Sequence, residues 1–285
     1  MQIWCDGQFL AAENFPPSIT DRGFTHGLGL FETLLARDGW PMFLSRHAER
    51  LLASGLTLGW ELLRPDFHGI AVSLLERNGL ANGSARIRIG VSAGSGPLHD
   101  LQLGNDAHSW MTADALAESP SEISAMLSPW PRNERSPLVG LKCASYAENL
   151  IALDHARRHG FDEVIFLNTA GNVCEAATAN LFLVKYGRLQ TPPLASGCLP
   201  GIGRELVLEL AAQLGIPASS EPLTKGELEQ ADEIFLTSSL RGIRKVSRYD
   251  RFYYPAHSVT SQLQNAWQEN FVLTSPTPPP FTRAT

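Results

Sequence analysis

Leu138-Val139-Gly140-Leu141-Lys142-Cys143-Ala144-Ser145-Tyr146-Ala147-Glu148-Asn149-Leu150 sets one lysine among apolar and small residues. The chain holds only three others: Lys185 in a turn-like Lys-Tyr-Gly-Arg, Lys225 in a polar helix start, and Lys245 directly after Arg244. Those three settings read as solvated. A lysine drawn out of water loses part of its preference for the charged form and becomes a usable amine nucleophile, and the small neighbours leave room beside it for something flat. Taken alone, a lysine snorkelling from a strand end is the commoner case, so the rest of the chain has to decide.

Working outward, the stretch is preceded by a strand over Ile123–Ser128 and a loop over Pro129–Pro137. It is followed by a helix, Tyr146–His159, closed by Gly160. A strand over Glu163–Leu167, a turn over Asn168–Asn172 and two strands between Val173 and Gln190 come next. Pro200-Gly201-Ile202-Gly203-Arg204 opens an amphipathic helix to Leu214. Glu227–Gln230 is a short helical piece, Glu233–Thr237 a strand and Ser258–Phe271 a last helix. Towards the N-terminus, Gln2–Cys5 and Gln8–Leu10 flank an Asp6-Gly7 turn, and Leu28–Arg37 and Trp40–Leu44 flank Asp38-Gly39. Ser45 is placed to cap a helix over Arg46–Gly55, Asp66–Asn78 forms another, and Ala85–Ala93 and Ser109–Ala113 are strands. Composition turns polar and small between Asp114 and Glu122, which places a lobe boundary there. The pattern is mixed α and β in two lobes: residues 1–117, residues 118–275, and a proline-rich tail over 276–285.

With 285 residues, 44% hydrophobic and 18% charged, the chain is globular in composition, and a formal charge of −6 gives no nucleic-acid footprint. Four cysteines without paired or metal-ligand spacing point to free thiols in a reducing compartment. The N-terminal residues lack a basic region and a long apolar run, and no stretch is long enough to cross a bilayer, so a soluble cytoplasmic protein is expected.

Three further features bear on chemistry. Arg50 shares a helix face with His47, Leu51 and Ser54, next to an apolar seam, where an arginine pairs with a carboxylate or grips a phosphate. Gly201-Ile202-Gly203 at a helix start offers exposed N–H groups to an anion, although Pro-Gly is also a plain loop-to-helix junction. Glu175 is the one acid among small residues between two apolar strands and needs a cationic or N–H partner. His155 and His159, four apart beside Arg157 and Arg158, read as a solvated basic face rather than a metal site. A lysine for an aldehyde, an arginine and a helix start for a phosphate, and an acid for a ring nitrogen together describe a pyridoxal phosphate site.

With those residues in hand, the chain resembles the class IV aminotransferases, the fold type IV group that includes branched-chain and D-amino acid aminotransferases and 4-amino-4-deoxychorismate lyase. The matching stretches stand in family order. They are Thr20 to Thr33, His47-Ala48-Glu49-Arg50-Leu51, Lys142 with its helix, Glu175 to Phe182, Leu199 to Arg204, and Ala231-Asp232-Glu233 with Thr237-Ser238-Ser239. The resemblance implies an α+β enzyme with a small N-terminal α/β lobe and a larger β-barrel-like lobe carrying helices, and a homodimer. It implies that Lys142 forms the Schiff base with pyridoxal 5'-phosphate and carries the α-proton. Arg50, the Ile202 and Gly203 backbone and Ser239 are then expected to hold the phosphate, and Glu175 the ring nitrogen. Many relatives carry threonine where Gly203 stands, which removes one hydroxyl contact, and a tyrosine found in some branched-chain enzymes is Ala147 here, with Tyr146 adjacent.

Substrate choice is divided. The branched-chain Tyr-x-Arg is Arg86-Ile87-Arg88, and Gly-Thr-Ala-Ala is Ser238-Ser239-Leu240-Arg241. Phe31-Glu32-Thr33 and Ser239-Leu240-Arg241-Gly242 are more similar to the lyases, yet the lyases' Gly-Arg-Gly-Tyr is Gly96-Pro97-Leu98-His99. Phe31, Arg88 and Arg241 are the candidate substrate contacts. The expected activity is transfer of an amino group from an amino acid to a 2-oxo acid; the alternative is cleavage of aminodeoxychorismate to 4-aminobenzoate and pyruvate.

Overall fold

A computed structural model describes residues 1–15 and 18–273; the tail expected over 276–285 lies outside the described residues. Six strands, β1 (Gln2–Cys5), β2 (Gln8–Ala11), β3 (Gly29–Arg37), β4 (Trp40–Pro41), β5 (Ser84–Ser92) and β6 (Ser109–Ala115), form one sheet in the order β2-β1-β6-β5-β3-β4. Every neighbouring pair is antiparallel. Its hairpins β1–β2 and β3–β4 turn on Asp6-Gly7 and Asp38-Gly39, all four with positive φ, the two-residue geometry that follows the strands' twist. Alternation along β5 sends Ala85, Ile87 and Ile89 inward. They pack with Leu34, Met111 and the Leu51, Leu74 and Leu75 side chains of α2 (Leu44–Thr57) and α3 (Phe67–Arg77). A one-and-a-half-turn helix, α1 (Arg22–His26), precedes β3 and is capped by the Asp21 carboxylate.

The second sheet begins at Glu122. Its strands are β7 (Glu122–Leu127), β8 (Glu163–Leu167), β9 (Val173–Ala176), β10 (Asn180–Lys185), β11 (Arg188–Gln190), β12 (Ala218–Ser219), β13 (Glu233–Ser238), β14 (Gly242–Tyr249) and β15 (Phe252–Tyr253). The path runs β12-β11-β10-β13-β14-β7-β8-β9, with β15 beside β14, and mixes parallel and antiparallel pairs. β9 ends this path, yet a tight turn, Ala176 N–H to Ala179 O, joins it to β10 near the other end. The sheet therefore has to curl round. β13 is buried from Glu233 to Thr237, with apolar Ile234-Phe235-Leu236 at its centre, because both of its faces are covered. Ile234 and Leu236 enter one core cluster, while Phe235 stacks on Phe182 at 4.9 Å beneath α5 (Ile202–Gln213) and α7 (Ser258–Trp267). Helix α4 (Ala147–Arg158) follows the lysine stretch, and α6 (Lys225–Glu229) opens with a Thr224–Glu227 capping box.

Several expectations are corrected. The α2 N-cap is Phe43, in the left-handed region and without a side-chain bond, so Leu44 and Ser45 lie inside the helix and Ser45 caps nothing. Phe43 is held there by its ring contacts to Trp267 and Phe271 of the other lobe. Three strands, not two, lie between Val173 and Gln190, because Ala177-Thr178-Ala179 makes a turn without glycine or proline. The β14 strand went unread: its alternation is masked by four basic residues, Arg244, Lys245, Arg248 and the turn residue Arg251.

Candidate active site

The lysine stretch leaves the second sheet after β7 and reaches over to β3 of the first sheet before α4 begins. Phe31 N–H of β3 donates to Lys142 O at 2.9 Å, Ala144 N–H donates to Gly29 O at 2.8 Å, and Leu30 bridges Cys143. Lys142 is thus pinned to the edge of the first lobe's sheet while its side chain opens into a cavity of about 1130 Å³ walled by both lobes. Nζ lies 4.5 Å from the centroid of the Phe31 ring and 5.7 Å from that of Tyr146. Burial is the largest influence on this amine and brings it down to about 8, with the cations Arg50 and Arg88 adding to the effect and the acids Glu32 and Glu175 opposing it.

Arg50 reaches the same cavity from α2, but its guanidinium is already engaged. Nε donates to Glu32 Oε1 and Nη2 to Glu32 Oε2, both at 2.7 Å, and Nη1 donates to Pro200 O at 2.8 Å. Glu32 is only 1% exposed and also takes His47 Nδ1 at 2.7 Å. Burial pushes this carboxyl up, yet the hydrogen bonds from Arg50 and His47 outweigh it and leave it at about 2. Burial holds His47 neutral, with a pKa below its ordinary value. Of the five guanidinium N–H groups, three are thereby spent, and one each on Nη1 and Nη2 remains.

Glu175 of β9 lines the same cavity and is buried. Its Oε2 accepts the Leu199 N–H at 3.0 Å, its Oε1 stands 3.4 Å from Arg132 Nη1, and Asn180 Nδ2 is 3.5 Å away. Burial raises this carboxyl above its ordinary value against the opposing charges of Arg132 and Lys142. Helix α5 starts nearby with Gly201 as an N-cap that supplies no side chain, so the N–H groups of Ile202 and Gly203 lack intrahelical acceptors. A Cβ at Gly203 would fall 2.8 Å from Thr237 Oγ1, a buried hydroxyl without a partner among the described residues. A water-shielded amine, an uncapped helix start beside an orphaned hydroxyl, and a buried carboxylate, all lining one cavity, fit the three ends of pyridoxal phosphate.

Phe31, Arg88, Arg241 and Ser239 all line the cavity. Arg88 Cζ sits 4.0 Å from the Phe31 centroid and has no carboxylate ion pair within the described structure. Arg241 donates through Nη1 to Ala117 O at 2.6 Å, in the segment between the two sheets. Tyr146 donates its hydroxyl to Ala177 O at 2.9 Å, and burial lifts that hydroxyl to about 12. Glu32 and Arg132 escaped the sequence reading. Glu32 lay inside a quoted motif, but its partners are 15 and 18 residues away, and nothing in Pro129–Pro137 distinguishes Arg132 from a loop arginine.

The family model for amino-transferase class IV matches residues 29–249. A protein of Synechocystis sp. named "Probable branched-chain-amino-acid aminotransferase" is 35% identical over 215 residues, covering 73% of this chain and 70% of its own. The aminodeoxychorismate lyase of Bacillus subtilis is 27% identical and covers 92% of each chain. A T.th. branched-chain amino acid aminotransferase, solved with pyridoxamine 5'-phosphate, superposes with a TM-score of 0.82 at 26% identity, over 94% of this chain and 93% of that one. Class IV aminotransferases depend on pyridoxal phosphate, and the folds, the match along most of the chain and the shared extent agree. The chain belongs to the class IV aminotransferase family and is an enzyme.

Proposed function

We propose that this enzyme moves an amino group from an amino acid to a 2-oxo acid, with pyridoxal 5'-phosphate bonded to Lys142. The observation that carries the reading is the Lys142 amine, brought to about 8 inside a cavity that Glu175 also lines. When bound, the cofactor supplies an electron sink for the carbanion left when the α-proton departs. Lys142 supplies the base: its amine sits close to neutrality, where a group both accepts and returns a proton. The two free N–H groups of Arg50, the Ile202 and Gly203 amides and Ser239 hold the phosphate. Thr237 Oγ1, 2.8 Å from where a Cβ at 203 would stand, offers an unpartnered hydroxyl at the same helix start and takes over the contact that a threonine at 203 would make. Glu175 faces the ring nitrogen. Phe31, Arg88 and Arg241 meet the substrate, Arg88 through an unpaired charge over the Phe31 ring.

The second reading, aminodeoxychorismate cleavage, is supported by the end-to-end likeness to the Bacillus subtilis lyase. The same residues serve both reactions up to loss of the α-proton. Borohydride reduction of the yellow protein followed by peptide mapping is expected to label Lys142; an unlabelled Lys142 refutes both readings. Pyruvate released from aminodeoxychorismate without a 2-oxo acid acceptor selects the lyase, and amino transfer that requires the acceptor selects the transaminase. We also infer a homodimer: α4 leaves Leu150 and Ile151 each 58% exposed, beside Trp130 and Leu138 of the preceding loop. Light scattering that returns a monomer mass would refute it.

A further inference from the structure

Arg132 has none of the roles assigned above. Its backbone N–H donates to Leu167 O at 2.8 Å, and it bridges Asn168, which ties the loop after β7 to the end of β8. From there the side chain crosses the Phe166 ring, with Cζ 4.4 Å from the centroid, and brings Nη1 to 3.4 Å from Glu175 Oε1. Nε and Nη2 are buried and lack hydrogen-bond partners among the described residues; the next carboxylate, Glu148, is 4.0 Å from Nε. A guanidinium with two of three nitrogens unpaired and shielded from water is a costly structural clamp. What it does deliver is a permanent positive charge beside the carboxylate.

We propose that Arg132 is a positioning residue that keeps Glu175 ionised, so that the proton shared between Glu175 and the cofactor's ring nitrogen stays on the nitrogen. The inference rests on the reading of Glu175 as the partner of that nitrogen. Two bases compete for one proton there, and burial alone would hand it to the carboxylate. Of the groups around Glu175, Arg132 opposes burial most, followed by the Leu199 N–H and Lys142, while Glu163 works in the same direction as burial. Tyr146, Cys174 and Cys198 also face this carboxylate and are held in their neutral forms. Arg132 is the one cation of the set that cannot lose its charge.

The holoenzyme reports on this directly, because its visible absorption changes when the Lys142 linkage gains or loses a proton, and a protonated ring keeps that titration at lower pH. Arg132→Met is expected to move it upward by about one unit, a fraction of the 1–3 units by which a neighbouring opposite charge shifts a carboxyl. Arg132→Lys keeps the charge and is expected to titrate close to wild type. Arg132→Gln, which keeps N–H donors without charge, is expected to behave as the methionine variant does and takes its place should that protein fold poorly. In a Glu175→Gln background, Arg132→Met is expected to add no further shift. A wild-type titration in Arg132→Met and Arg132→Gln, or a shift that persists in full without Glu175, overturns the inference. Loss of cofactor binding by wild type would instead overturn the reading of the site itself, so the two failures are distinguishable.

Discussion

Glu32→Gln is expected to cost the cofactor-free protein about 3 kcal/mol at pH 7. The carboxyl falls from 4.5 to about 2 on folding, and roughly 1.4 kcal/mol per pKa unit makes that shift worth about 3 kcal/mol. Removing one partner of a buried ion pair independently costs about 3–5 kcal/mol, and here two partners, Arg50 and His47, lose their acceptor. For a chain of this size the loss corresponds to a melting temperature lower by roughly 6–12 °C. The direction with pH follows from linkage. Between about 2 and 4.5 the unfolded state binds the proton and the folded state does not. The stabilisation is complete above 4.5, shrinks as the pH falls and is gone below about 2. His47, neutral in the fold and below its ordinary 6.5, makes both proteins lose stability once the pH drops under 6.5, so the comparison is between wild type and variant at each pH. Thermal melts of both proteins from pH 7 to pH 4 measure it. A difference below about 2 °C at pH 7, where roughly 6–12 °C is expected, would refute the claim that this carboxylate is held by the Arg50 cation and the His47 hydrogen bond.

Lys142→Met is expected to stabilise the cofactor-free protein at pH 7 by roughly 1–3 kcal/mol, discounted for the water in the cavity. The amine's folded pKa of about 8 lies under its ordinary 10.5, so the penalty is full below 8 and fades as the pH rises to 10.5; urea midpoints at pH 7 and pH 10 check that the gain shrinks. Gly203→Ala presses a Cβ to 2.8 Å from Thr237 Oγ1 and is expected to weaken pyridoxal phosphate binding about tenfold, ~1.4 kcal/mol, while leaving pyridoxal, which lacks the phosphate, unaffected in the same fluorescence titration. Gly201→Ala would put a Cβ 1.8 Å from Asn180 Oδ1. It is expected to lower the melting temperature, at an overpacking cost of about 1–3 kcal/mol, which calorimetry reads.

The fold was legible where local chemistry repeats. The Asp6-Gly7 and Asp38-Gly39 turns, the alternation of β5 and the Thr224–Glu227 capping pair announce themselves within a few residues. Phe43 did not, because its left-handed N-cap is held by Trp267 and Phe271, more than two hundred residues on. Nor did β14, whose basic residues lie on strand faces that meet the cavity or solvent: Arg244 lines the cavity while Ile243 and Val246 point into the cores.

The site divides the same way. Lys142, Glu175 and the Gly201–Gly203 helix start are unusual residues in their own neighbourhoods, and an amine without water or an acid without a partner can be noticed from either side of it in sequence. Glu32 and Arg132 are ordinary in theirs; each matters only through a charge that a different element delivers. Arg50 shows the consequence. Its position on the seam of α2 admitted either a carboxylate or a phosphate, and the structure spends three of its N–H groups on Glu32 and Pro200 while leaving two. The two possibilities were never exclusive: the carboxylate orients the fork, and the orientation is what leaves one N–H on each terminal nitrogen free to meet an anion.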